Sequence, residues 1–400
     1  MSGPESTDIQ PSPRRASEPR RLDFLDALRG LAAVYVIAYH LIYIPSPNLA
    51  VPAWARLWAV NGGTGVTLFF VISAFSLFYT TPARFKQRLP WVSYAMHRLF
   101  RIAPLFYFWI ALTIVRDHFV FHATHPWWEI AASAGFVFNF IPTHQDGFVW
   151  ASWTIGVEML FYVVFPFIYM RVKNVTGAIA LAIGLMLAWM FIQVVVDYLK
   201  ISPAASASMH QWFFPRFLPE FSMGAIAYFL LKDHVPRLSQ DERIARPLGL
   251  LLVLAATYLY VAIMQNVGQV GLPDNRYAKA VCCLLLVIGL SLRTLKPFVN
   301  RLTVFLGKIS YSVYLAQPTA ILLLEPVYKK IYAASSGSMA VSVAFVGCFL
   351  LTLAVVIPLA ALSYYLVEKP GIKLGKYCYA WLESQAKSRH ATSQPQRAAQ

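Results

Sequence analysis

The stretch Leu22–Tyr43, LDFLDALRGLAAVYVIAYHLIY, decides the fold. It is the first long apolar run after a polar, basic start, and it is long enough to cross a bilayer as a helix, which takes about 20 residues. Yet it holds Arg29 and His40. Eleven positions separate them, so on a helix they lie three full turns plus roughly 20° apart, with about 16 Å of rise between them. They share one face at two depths. Charge inside a span is costly unless it meets a protein interior or a wet cavity, so this face is where chemistry is expected. Arg29 also fits a plainer role, as an anchor that snorkels to headgroups and is neutralised by Asp26 one turn earlier. His40 gains nothing from lipid, because a buried neutral imidazole still needs a hydrogen-bond partner.

The rest of the chain has the same character. Of its 400 residues 58% are hydrophobic and only 13% charged, and its mean hydropathy is +0.55; soluble domains carry about 25% charged residues. This excludes a soluble globular protein and points to an all-α, polytopic integral membrane protein. A net charge of +16 invites a nucleic-acid partner. The basic residues, however, stand in short clusters beside the apolar runs, which is a topological pattern. The cysteines Cys282, Cys283, Cys348 and Cys378 have no metal-ligand spacing with histidine, so neither a metal site nor a disulfide framework is expected.

Apolar runs of spanning length begin near Phe24, Thr64, Leu99, Ser152, Gly177, Phe213, Pro247, Tyr277, Thr303 and Met339, predicting about ten transmembrane helices. Basic clusters at Arg14 to Arg21, Arg84 to Arg98, Arg171 and Lys173, Lys232 to Arg246, Arg293 to Arg301 and Lys369 to Lys376 all fall on one side if both termini are cytoplasmic. That requires the segment from Trp128 to Ile141 not to cross. The region from His118 to Trp150 therefore reads as an outer loop with a re-entrant or interfacial helix, its histidines solvated rather than metal-bound. Residues 1–21 read as a disordered basic cytoplasmic tail followed by an uncleaved first span, 22–373 as the membrane domain, and 374–400 as a cytoplasmic C-terminal tail.

This topology sets His40 near the outer end of the first helix and Glu158 about two turns inside the outer end of another. A carboxylate bonded to one imidazole nitrogen leaves the other free to take a proton from a hydroxyl. On the opposite side Arg98 and Arg101, three residues apart on one helix face, form a fork suited to phosphate oxygens, and Arg29 reaches the same leaflet. Positive-inside topology also places arginines there. The rival expectation is a transporter or flippase, with His40, Glu158 and Arg216 as a relay across the bilayer.

Taken as a set, these residues resemble the membrane-bound acyltransferase-3 family of bacterial O-acyltransferases. The shared features are Leu25-Asp26-Ala27-Leu28-Arg29-Gly30 with His40 following, Gly62-Gly63-Thr64-Gly65-Val66 leading into Phe69-Phe70-Val71-Ile72-Ser73, and Arg98-Leu99-Phe100-Arg101-Ile102-Ala103-Pro104. Ser152-Trp153 through Glu158, Phe161-Tyr162 and Pro166 follow, then Arg216 with Glu220, Phe221 and Gly224, then Ser310-Tyr311-Ser312-Val313-Tyr314-Leu315, and a closing Val367-Glu368-Lys369-Pro370. The resemblance implies a fold of roughly ten helices in the bacterial inner membrane. It implies transfer of an acyl group, usually acetyl, from cytosolic acetyl-CoA to a hydroxyl of a glycan or lipid-linked sugar, with no bound cofactor. His40 and Glu158 take the catalytic positions; Arg29, Arg98, Arg101, Asp26 and Tyr311 take the substrate positions. Three departures are visible: Gln317 where many members carry histidine, Ala74 after Ser73 in place of glycine, and Met159-Leu160 after the glutamate. The tail after Lys373 is too short for the hydrolase-like domain that larger members append.

Overall fold

The computed structural model describes residues 22–233, 241–265, 275–334 and 337–393; the tail expected over residues 1–21 lies outside them. Among the described residues there are helices and no strands. In chain order the helices are α1 (Asp23–Tyr43), α2 (Ala53–Ala59), α3 (Thr64–Arg84), α4 (Pro90–Val120), α5 (Trp127–Ala134), α6 (Trp153–Arg171), α7 (Val175–Tyr198), α8 (Pro203–Trp212) and α9 (Leu218–Asp233). They continue with α10 (Glu242–Met264), α11 (Asn275–Leu292), α12 (Arg301–Lys308), α13 (Ser310–Ala333), α14 (Ser338–Ser363) and α15 (Lys369–Ser393). Helix starts follow local chemistry. Asn174 caps α7 by accepting from the Gly177 amide, Ser202 caps α8 ahead of Pro203, and Asn300 and Thr303 form a reciprocal capping box on α12.

Among the described residues eight helical stretches are long and apolar enough to span a bilayer. The sequence reading of about ten added segments near Phe213 and Thr303. These became α9, which has 16 residues, and α12 with α13, where Glu325, Lys329 and Lys330 dilute the apolar run. The outward faces are lipid-like: Phe191 is 69% exposed and Tyr258 74%. Such apolar exposure on a whole bundle suits a membrane and not water. The protein is a multi-pass membrane protein.

At the centre stands α1, packed against α3, α12 and α13. Small residues let these backbones touch. A Cβ on Gly307 would lie 1.8 Å from the Asp26 carbonyl oxygen, and one on Gly30 would lie 2.4 Å from that of Thr303. This is the close approach that glycine permits between membrane helices, and it brings α1 and the α12–α13 junction into one wall.

Between α4 and α6 lies α5, whose eight residues rise only about 12 Å and cannot cross. The chain after α5 turns inward. Phe138, Asn139, Val149 and Ser152 are all buried, and Asn139 bridges the Trp212 carbonyl (2.8 Å) and the Phe214 amide (2.8 Å). At the other end of the chain the boundary expected at Lys373 falls inside α15, which runs on to Ser393 and packs along α4, with Gly375 against Phe100 and Tyr379 beside His97.

Candidate active site

A cavity of about 480 Å³ lies between α1, α3, α4, α6 and the α12–α13 junction. Its polar lining starts with α3, where Ser73, Ser76 and Thr80 fall at helical spacing on one face. Arg29 donates to Ser76 Oγ at 2.7 Å and reaches Asp26 Oδ1 at 3.4 Å. Arg98 donates to Thr80 Oγ1 at 3.3 Å and lies 5.6 Å over the Tyr162 ring. Arg101 pairs with Glu368, which in turn accepts from Ser312 at 2.7 Å. Glu158 accepts from Ser73 at 2.7 Å and from the Tyr162 hydroxyl. Tyr311 donates to the Ile102 carbonyl at 3.0 Å, fixing α13 to α4. Lys308, exposed at the rim, adds a fourth cation.

Four cations therefore meet three carboxylates, Asp26, Glu158 and Glu368. The positive charge is not cancelled. Arg98 Nε is buried without a hydrogen-bond partner, and Lys308 has no ion-pair partner among the described residues. Guanidinium groups held by neutral hydroxyls keep donors available to an incoming anion, and the oxygens of a diphosphate suit such donors.

Six of the seven residues singled out from sequence, Asp26, Arg29, Arg98, Arg101, Glu158 and Tyr311, line this one cavity. His40 does not. About 16 Å of helix separates it from Arg29, and its imidazole stands beside the side chain of Gln317 on α13. His40 Nδ1 and both amide atoms of Gln317 are buried, and beyond their approach to each other they have no hydrogen-bond partner among the described residues. The expected pairing of His40 with Glu158 is not formed. Phe138 and Asn139 from the segment before α6 fold into the bundle, with Phe138 packed on Gly156. Glu158, bonded to Ser73, sits at the level of Ser73 and Arg29 rather than that of His40. The two regions are joined along α13, where Tyr314 lines the cavity and Gln317 follows one turn later.

Sequence reasoning passed over Ser76, Thr80, Lys308 and Glu368 as site residues. The hydroxyl stripe of α3 was readable from its spacing. Glu368 is 267 positions from its partner Arg101, a pairing that only tertiary structure reveals. Of the outer histidines, His125 bonds Asp117 at 2.9 Å and Glu129 at 3.1 Å, tying α5 to the end of α4.

Comparison with known proteins bears on this geometry. The sequence profile of the acyltransferase-3 family, described as an acyltransferase domain, matches residues 22–361. A protein of Acidianus two-tailed virus named "Putative acetyltransferase" is 24% identical over 72% of this chain and 79% of its own length. A Staphylococcus aureus protein (strain MRSA252) named "Putative O-acetyltransferase" is 23% identical over 91% of this chain, but the match spans only 59% of that protein. Peptidoglycan O-acetyltransferase OatA of Listeria monocytogenes is 26% identical over 42% of this chain and 28% of its own length. No solved structure matches the chain. A family match across residues 22–361, nearly the whole bundle, leads to one conclusion: the chain belongs to the acyltransferase-3 family and is an O-acyltransferase.

Proposed function

We propose that the protein transfers an acetyl group from cytosolic acetyl-CoA to a hydroxyl of a glycan or lipid-linked sugar, in the bacterial inner membrane with both termini cytoplasmic. The observation that carries this reading is the convergence of Arg29, Arg98, Arg101 and Lys308 on one cavity. A phosphate-bearing donor satisfies that much positive charge, and an uncharged substrate does not. The relatives named as acetyltransferases support acetyl as the group carried. The permeation alternative leaves the arginine cluster without a purpose.

In this reading the donor's phosphates lie against the arginines and its thioester arm extends along Tyr314 toward His40. A ring nitrogen of His40 takes the proton of the acceptor hydroxyl as its oxygen attacks the thioester carbonyl. The carbon–sulfur bond then breaks, and the thiolate leaves and is protonated. Glu158 has a different part from the one its position in sequence suggested. It anchors Ser73 and Tyr162 in the donor cavity, and Gln317 is the polar neighbour of the imidazole.

Purified protein in lipid nanodiscs, given radiolabelled acetyl-CoA and a surface-glycan extract, tests the reading. The expected result is base-labile, ester-linked label on the glycan. Absence of label, or label in base-stable linkage, contradicts it.

A further inference from the structure

A second cavity, of about 690 Å³, adjoins the first and shares two of its walls, Leu22 just before α1 and Tyr79 of α3. Its lining differs in kind. The first cavity is built around guanidinium and carboxylate groups; the second is built from the rings of Phe75, Tyr79, Tyr169 and Tyr228, with Lys173 and Lys232 at its edge. Both lysines are exposed, Lys173 with its Nζ 5.0 Å from the centre of the Tyr169 ring and Lys232 with its Nζ 5.9 Å from that of Phe229. The cavity lies at the ends of α3, α6, α9 and α11, the side of the bundle where Arg84 and Arg171 also end their helices.

Size and chemistry together point to an occupant. The cations of the first cavity suit the diphosphate of a coenzyme A donor, and the adjoining cavity offers its nucleotide a separate seat. Flat aromatic walls suit a purine, since a base stacks on rings with little demand on sequence or orientation. Two lysines at the edge suit the one phosphate of coenzyme A that the diphosphate-binding arginines do not reach. We propose that this second cavity seats the adenine of the donor, with Lys173 and Lys232 gripping its 3′-phosphate, so that the donor straddles Tyr79. The proposal rests on the donor reading above.

The test compares coenzyme A with dephospho-coenzyme A, which lacks only the 3′-phosphate, by equilibrium binding to detergent-purified protein. Wild-type protein binds coenzyme A more tightly by about fivefold to tenfold. The double variant Lys173→Glu/Lys232→Glu, changed only at exposed positions, binds dephospho-coenzyme A as before and loses the preference. Adenosine 3′,5′-bisphosphate competes with coenzyme A on the wild type and not on the double variant. If the variant keeps the preference, or if wild-type protein shows none, the subsite is wrong while the donor cavity stands. If wild-type protein binds neither compound, the donor reading itself has failed.

Discussion

The two ends of the polar face of α1 are built on opposite principles. At Arg29 a network of Ser76, Asp26, Thr80, Glu368 and Ser312 holds the arginines within one cavity that keeps an excess of positive charge, Arg98 Nε among its open donors. At His40, about 16 Å along the helix, the buried Nδ1 and the amide of Gln317 have only each other for polar company among the described residues. A buried polar group left unsatisfied costs about 1–3 kcal/mol. On the proposed reading, binding belongs to the end where the cations gather and reactivity to the end where a single imidazole stands apart from them.

If that division is right, the two ends fail differently when changed. The largest effect is expected from His40→Ala, which lowers acyl transfer by about 10²–10⁴-fold and leaves donor binding intact; a radiolabel transfer assay on monodisperse protein checks it. Next comes Arg98→Ala/Arg101→Ala, which weakens coenzyme A binding by roughly a hundredfold or more, since two charge-assisted hydrogen bonds at about 1.5–3 kcal/mol each are lost. Calorimetric titration reads this, and unchanged affinity removes the arginines from the donor site. Gly307→Ala acts on the wall itself. Its Cβ would meet the Asp26 carbonyl oxygen at 1.8 Å, and the overpacking destabilises the bundle by about 1–3 kcal/mol, visible as a lower thermal unfolding midpoint in detergent. Glu158→Gln is expected to change least. The amide oxygen still accepts from Ser73 and Tyr162, so donor KM moves by less than about tenfold and the pH profile of kcat stays where it was. A displaced profile would tie Glu158 to the imidazole after all and erase the contrast between the two ends.

Much of the cavity was legible in the sequence because its residues break the apolar background. Arg29, Arg98 and Arg101 stand out in spans that lipid would keep free of charge, and helical spacing alone places Arg98 beside Arg101. Depth was less legible. Counting residues from the presumed surface set Glu158 level with His40, whereas Glu158 bonds Ser73 in the cavity; the packing of Phe138 and Asn139 into the bundle ahead of α6 is something no hydropathy pattern records. Helices poor in apolar length were hard to count for a related reason. In α13 the first half is buried in protein and the second carries Glu325, Lys329 and Lys330, so its sequence answers to neighbouring helices and water as well as to lipid. Pairings such as Arg101 with Glu368 were beyond reach, since they join opposite parts of the chain.

The separation of binding from reaction along α1 is tested most directly by titrating coenzyme A into wild-type, His40→Ala and Arg98→Ala/Arg101→Ala proteins side by side. The histidine variant should bind as tightly as wild type, and the arginine variant should bind more weakly by about a hundredfold or more. Equal losses in both variants, or a loss in the histidine variant alone, would mean that the imidazole belongs to the donor site and that the two ends of the helix do not divide the work.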